Sequence, residues 1–277
     1  MKNLIDGLII GSRKCGTTWV YENFRLDADV TVSEKVKESG FFSEEHISES
    51  TKLRYLELID RSDSENIKYV EVDASVVYAP NFADNINLIA SDAAVVLILR
   101  KPEDYLVSRI VHAIRKGEIE SGSLDSMMDD NSWLRDEIDY EGIISRFESI
   151  QTKYKLVLPF ELLESNDTEF YSLIKSCLMK LENKKVFEPN IRNKVNVSRS
   201  SRLELLTIII TLGAKAFRGI GLHGVVNFLK RLGVHTLFEL ETTDSELRYL
   251  KAEAEQYILK NAASSTQIWK KIANEYL

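Results

Sequence analysis

The apolar positions of this chain fall into two kinds of run. Short dense ones, LIDGLII at 4–10, YVEVDAS at 69–75, AVVLILR at 94–100 and KLVLPF at 155–160, have the length and branched content of buried strands. Between them the apolar residues return at helical spacing over 18–26, 53–60, 86–93, 102–116 and 141–154. Pro102 sits in the first turn of the fourth of these helices and Gly117 just past its end, the usual asymmetry. Beyond residue 160 the pattern is mostly helical, over 167–182, 201–217, 221–231, 244–260 and 266–276. Residues 30–45 read as loop. The Asp- and Ser-rich stretch 118–140 reads as a surface excursion covering a substrate. Strands alternating with helices predict an α/β fold, a three-layer sandwich with a central parallel sheet and a helical C-terminal portion. No Pro/Gly linker and no fixed-period repeat divides the chain, so residues 1–277 are expected to form a single domain.

Composition narrows the function mainly by exclusion. Two cysteines, Cys15 and Cys177, give no disulfide framework, and four scattered histidines give no metal-ligand spacing. A net charge of -7 offers no general attraction to nucleic acid, although a local basic pocket remains compatible with it. The segment LLTIIITLGA at 205–214 is too short to span a bilayer, and the amino terminus, which carries Asp6, does not read as a secretory leader. A cytoplasmic protein without integral membrane association is expected.

The candidate chemistry starts at GSRKCGTTW, residues 11–19. Strand, glycine-rich turn and helix is the setting of a phosphate loop, in which backbone N–H groups and the helix start hold an anion. Gly11 and Gly16 keep the spacing of the nucleotide-binding P-loop, so the fold is expected to be P-loop-like. Thr17, however, stands where that loop has its lysine, and the basic groups come earlier, as Arg13 and Lys14. Lys14 can supply a point charge, and Thr17 and Thr18 hydroxyl and N–H donors.

RKCGTTW resembles the 5′-phosphosulfate loop of the sulfotransferases that use 3′-phosphoadenosine 5′-phosphosulfate (PAPS). That resemblance implies a cofactor loop running through Arg13, Lys14, Cys15, Gly16, Thr17, Thr18 and Trp19. Lys14 would meet the bridging or leaving oxygen, and Gly16, Thr17 and Thr18 the phosphosulfate. A second stretch, VVLILRKPEDYLVSRIVHAIRKG, resembles the family's 3′-phosphate motif, with Arg100 at a strand end and Ser108 eight residues later. An arginine at the carboxyl end of a central strand also points, on physical grounds, into the crevice where open α/β sheets bind ligands. LPFELL at 158–163 and the terminal LRYLKAEAEQYI…TQIWKKI resemble further family elements. From the basic stretch IRNKVNVSRSSR, Arg199 is taken to close over the cofactor.

Sulfuryl transfer needs a base for the acceptor's proton and neutralisation of the leaving phosphate. KESGFF resembles the Lys-Glu-x-x-Phe-Phe segment of glycan-acting relatives, which implies Glu38 as base, its carboxyl group raised by burial against Phe41 and Phe42, and Lys37 as a substrate contact. EVDASVVY departs from the family's Glu-Lys-x-Pro-x-Tyr: Val72 replaces the lysine and no proline is present. Asp73 and Ser75 are taken as substrate or supporting contacts there. The expected activity is transfer from PAPS, leaving 3′-phosphoadenosine 5′-phosphate (PAP), to a hydroxyl or amine acceptor, a glycan foremost, with no metal. Two alternatives stand beside it: a P-loop kinase, and a catalytically inactive nucleotide-binding protein of the same fold.

Overall fold

The structure, a computed structural model, describes residues 4–59, 67–192, 200–201, 239–240 and 244–277. Its centre is a five-stranded parallel sheet: β1 (Gly7–Gly11), β2 (Val30–Thr31), β3 (Lys68–Asp73), β4 (Ala94–Leu99) and β5 (Lys155–Pro159), in the order β2-β3-β1-β4-β5. The expected α/β fold with a parallel sheet and helical C-terminal region is what the chain adopts. β1 and β4 are buried at every position, which is why they read as unbroken apolar runs. In register, Ile10 lies beside Asp73 on one side and Leu97 on the other, and Gly11 beside Ile98. The carboxyl ends of β1, β3 and β4 therefore finish side by side.

The chain forms two compact units. The first comprises Met1–Pro102, Asp136–Asn196 and Ala262–Leu277. It contains the sheet with α1 (Thr17–Phe24), α2 (Glu49–Leu58), α3 (Phe82–Ile89), α7 (Tyr140–Glu148), α8 (Glu161–Ser165), α9 (Asp167–Leu178) and α11 (Ala263–Tyr276). One face of the sheet, with Leu8, Ile10, Val95, Leu97 and Leu99, shares a core with Phe82 and Ile86 of α3 and with Tyr140, Ile143 and Phe147 of α7. Ile268, Trp269 and Ile272 of α11 pack against that same core. α1 and α9 also pack against the sheet, α1 on β1 and β3, α9 on β4 and β5. They meet each other through Trp19, which stands edge-on to Phe170 and Tyr171 at 6.1 and 6.2 Å between ring centres.

The second unit comprises Glu103–Arg135 and Val197–Asn261. Its described parts are most of α4 (Pro102–Arg115), α5 (Leu124–Asp130), the start of α6 (Ser132–Ile138), a short antiparallel pair of β6 (Ser200–Ser201) with β7 (Glu239–Leu240), and α10 (Asp244–Asn261). Arg109, buried in this unit, pairs with Glu118 at 3.0 Å and lies 4.2 Å over the Trp133 ring. The stretch 118–140 is not the irregular excursion its composition suggests. Ser123 caps α5 by accepting from Ser126 N, and Leu124, Met127 and Met128 bury a face at helical spacing among the Asp and Ser residues. The helices expected at 201–217 and 221–231 lie outside the described residues. Among the described residues no helix is long and apolar enough to cross a membrane.

Candidate functional site

The sheet reverses its winding at β1, with β3 on one side and β4 on the other, and this is the switch point where open α/β sheets leave a crevice at their carboxyl ends. Gly11–Trp19 fills that place. Gly11 leaves β1 so close to β4 that a Cβ would lie 2.6 Å from the Ile98 carbonyl oxygen. Lys14 takes a left-handed backbone, φ 67°, and Gly16 another, φ 79°. A side chain at Gly16 would meet Leu163 at 2.9 Å and the Phe160 ring at 3.0 Å. The turn is thus held tight from both sides, and it ends by presenting the first N–H groups of α1, those of Thr17 and Thr18, which have no acceptor within the helix.

Side chains complete the cradle. Arg100 follows β4, lies 4.8 Å over the Phe160 ring, and reaches the Lys14 carbonyl oxygen with one guanidinium nitrogen at 3.4 Å. Its backbone is fixed too, because the Tyr140 hydroxyl donates to the Arg100 carbonyl at 2.5 Å. Arg100 Nε and Ser12 Oγ are both buried with no hydrogen-bond partner among the described residues. Buried donors without acceptors, beside open N–H groups and two cations, are what an anion would satisfy. The residues present therefore fit a phosphate-bearing group.

The KESGFF turn comes to the same loop. Lys37 Nζ donates to Thr17 Oγ1 at 3.3 Å and to the Glu38 carboxylate at 2.6 Å. The burial expected for Glu38 is absent: its side chain is 41% exposed. Phe41 and Phe42 instead turn into the core, where Phe41 stacks on Tyr55 with ring centres 4.1 Å apart. What holds this turn is β3. Asp73, fully buried, accepts from Gly40 N at 3.1 Å through one oxygen, and from Ser75 N and Oγ at 2.9 and 2.7 Å through the other. It thus grips backbone on two sides.

The structure brings Arg13, Lys14, Cys15, Gly16, Thr17, Thr18, Lys37, Glu38 and Arg100 into one neighbourhood, with Asp73 and Ser75 on the flanking strand end. Trp19 belongs to the loop by sequence, but its ring is buried between α1 and α9. Cys15 is fully buried, and that burial pushes its thiol far above the ordinary range, so no thiolate nucleophile is available at neutral pH. Ser108 is a half-buried residue of α4 in the second unit. Arg199 lies outside the described residues. No group of His, Cys, Asp and Glu suited to hold a metal occurs among the described residues.

Sequence reasoning passed over Ser12, Phe160 and above all Glu71. This glutamate lies in β3 between Val70 and Val72 and is 4% exposed. Ser39 and Tyr55 donate to it. An acidic residue flanked by Val70 and Val72 in a buried strand was the available signal.

A family described as “Sulfotransferase domain” matches residues 4–158 of the chain. No curated protein matches it. Among solved structures, a sulfotransferase from Alicyclobacillus acidocaldarius is similar over 80% of this chain and 96% of its own, with 18% identity and a TM-score of 0.55. A mouse sulfotransferase solved with PAP is aligned over 65% of this chain and 60% of its own, at 14% identity and a TM-score of 0.37.

Proposed function

Since the chain belongs to the sulfotransferase domain family and is a PAPS-dependent enzyme of it, we propose that it moves a sulfuryl group to a hydroxyl or amine acceptor on a carbohydrate, with Glu38 as base. The observation that carries this reading is the meeting of the KESGFF turn with the anion loop, through Lys37 on Thr17.

When bound, PAPS supplies the sulfuryl group and has PAP as its leaving part. The work of the chain is then holding and orienting. Open N–H groups of Gly16, Thr17 and Thr18 take the anionic end, with Arg13 and Cys15 shaping the loop, and Lys14 holds the charge that develops on the leaving phosphate. Arg100, fixed over Phe160, takes the 3′-phosphate; Ser108 and Arg199 are assigned to the cofactor from the sequence resemblance alone. Glu38 accepts the proton of the acceptor, and Lys37 beside it orients anionic or hydroxyl-rich sugar groups. Ser75, positioned by Asp73, supplies a further acceptor contact. Lys14 supplies the positive charge that a metal would otherwise provide, so none is needed. Residues 1–277 act in this reading as one cytoplasmic sulfotransferase-like domain.

Calorimetric titration with PAP, ADP and ATP in metal-free buffer tests it. PAP binds at least tenfold more tightly than ADP, and Arg100→Ala weakens PAP by about 10- to 100-fold, the worth of a charged hydrogen bond. Equal affinity for PAP and ADP would show that no 3′-phosphate site exists and would end this reading.

A further inference from the structure

Glu71 and Asp73 stand two residues apart on β3 and face the same side of the sheet, toward the turn that carries Lys37 and Glu38. Their surroundings differ. Asp73 grips Gly40 and Ser75 as described. Glu71 receives Ser39 N at 3.3 Å and the Ser39 hydroxyl on one oxygen, and the Tyr55 hydroxyl of α2 on the other. Ser39 Oγ in turn accepts from Phe41 N at 3.1 Å, so one carboxyl group closes the whole turn. Two residues before Ser39, Lys37 rests on Thr17 of the anion loop.

The same groups border one small open cleft, lined by Lys37, Ser39 and Glu71 with Tyr21 of α1 and Tyr69 of β3. The turn therefore links Glu71, through Ser39 and the residue before it, to Lys37 and the loop. Glu71 sees hydroxyl and amide donors and a neighbouring carboxylate, Asp73, but no cation within hydrogen-bonding distance among the described residues. Burial pushes its carboxyl group up to about 7, outweighing the hydrogen bonds from Ser39 and Tyr55, and Asp73 adds to the rise.

We propose that Glu71 is a positioning residue of the anion site, which clasps the 37–42 turn, sets Lys37 against Thr17, and takes up a proton when an anion occupies the loop. The proton follows from charge. An anion beside Thr17 draws on the positive charge of Lys37 and adds negative potential in a poorly solvated space that already contains Asp73. Linkage makes the effect reciprocal: whatever raises the Glu71 carboxyl group on binding makes binding weaken as pH rises through its titration. Only the choice of nucleotide rests on the sulfotransferase reading; the clasp and its proton do not.

The test is calorimetric titration of the full chain with PAP, and separately with pyrophosphate, at pH 6, 7 and 8 in buffers of different ionisation enthalpy. Wild type and Glu71→Gln are compared, so protons belonging to the anion itself cancel in the difference. Wild type takes up more protons than the variant near pH 7. Its affinity also falls relative to the variant between pH 6 and 8, by about threefold for each half unit that the anion raises the carboxyl group. Equal proton uptake in the two proteins overturns the proposal, since a purely structural glutamate would leave that quantity unchanged. Should Glu71→Gln not fold, Ser39→Ala cuts the clasp while keeping the carboxyl group. Weaker anion binding by that variant supports the positioning role, and unchanged binding overturns it. Pyrophosphate binding with the pH difference, without PAP binding, keeps Glu71 and removes the nucleotide assignment. No binding of either anion overturns both.

Discussion

In the proposed reading, two glutamates near the loop have separate roles. Glu38 is exposed and paired with Lys37, whereas Glu71 is buried under the same turn with its carboxyl group raised. An exposed carboxylate can reach an incoming hydroxyl, and a buried one bonded on both oxygens cannot without breaking its clasp. The two are therefore separable by kinetics. Glu38→Gln leaves PAP affinity within twofold of wild type and lowers kcat by about 10²- to 10⁴-fold, the usual worth of a positioned base. A screen of glycan acceptors followed by kcat and PAP titration on that variant checks it. Full activity in Glu38→Gln would move the base elsewhere and leave Glu38 as no more than the partner of Lys37.

At the scale of elements, the loop is only as well placed as α1. Trp19 wedges α1 against α9, and a polar clasp closes the far end. Lys175 of α9 donates to both oxygens of Asp27, just past α1, at 2.8 and 2.7 Å, and the Tyr171 hydroxyl joins them. Burial alone would raise the Asp27 carboxyl group, but the bonds from Lys175 and Tyr171 and the Asp29 N–H outweigh it and hold it below the usual range. Its folded value being depressed, the stability it contributes is present above the ordinary value of 3.8 and is lost as pH falls through the folded one. Asp27→Asn should therefore lower unfolding free energy by about 1–3 kcal/mol at pH 7, less than for a fully orphaned buried charge because Lys175 keeps Asp29 at 2.9 Å. The deficit should shrink below pH 4. Denaturant titrations of both proteins at pH 7 and pH 3.5 measure this; a deficit that stays constant with pH would remove the ion pair as its source.

For the whole molecule, a nucleotide held by β1, β4 and α1 must stabilise the folded chain by mass action. PAP at a hundred times its Kd should add about 2.7 kcal/mol to unfolding, and ADP at the same concentration far less. Thermal melts with each nucleotide read this, and equal shifts would count against a 3′-phosphate site. Much of this architecture was legible beforehand, for local reasons. AVVLILR can only be a strand covered on both faces, and Gly11 and Gly16 mark backbone that must pass close to its neighbours, as the left-handed turn at Gly16 bears out. The loop, Arg100 at a strand end and the KESGFF turn were readable because each is contiguous in the chain. The fate of individual side chains was not, because it depends on partners far away in sequence. Phe41 and Phe42 lay beside Glu38 in sequence but went to Tyr55 in the core, and Glu71 looked like one more strand residue until Ser39 and Tyr55 closed on it. Sequence alone determined the strand–loop–helix units and the chemical types gathered at their ends, since periodicity and backbone freedom are local properties. Tertiary structure decided which carboxyl group meets solvent and which is buried, since burial is a property of the whole packing.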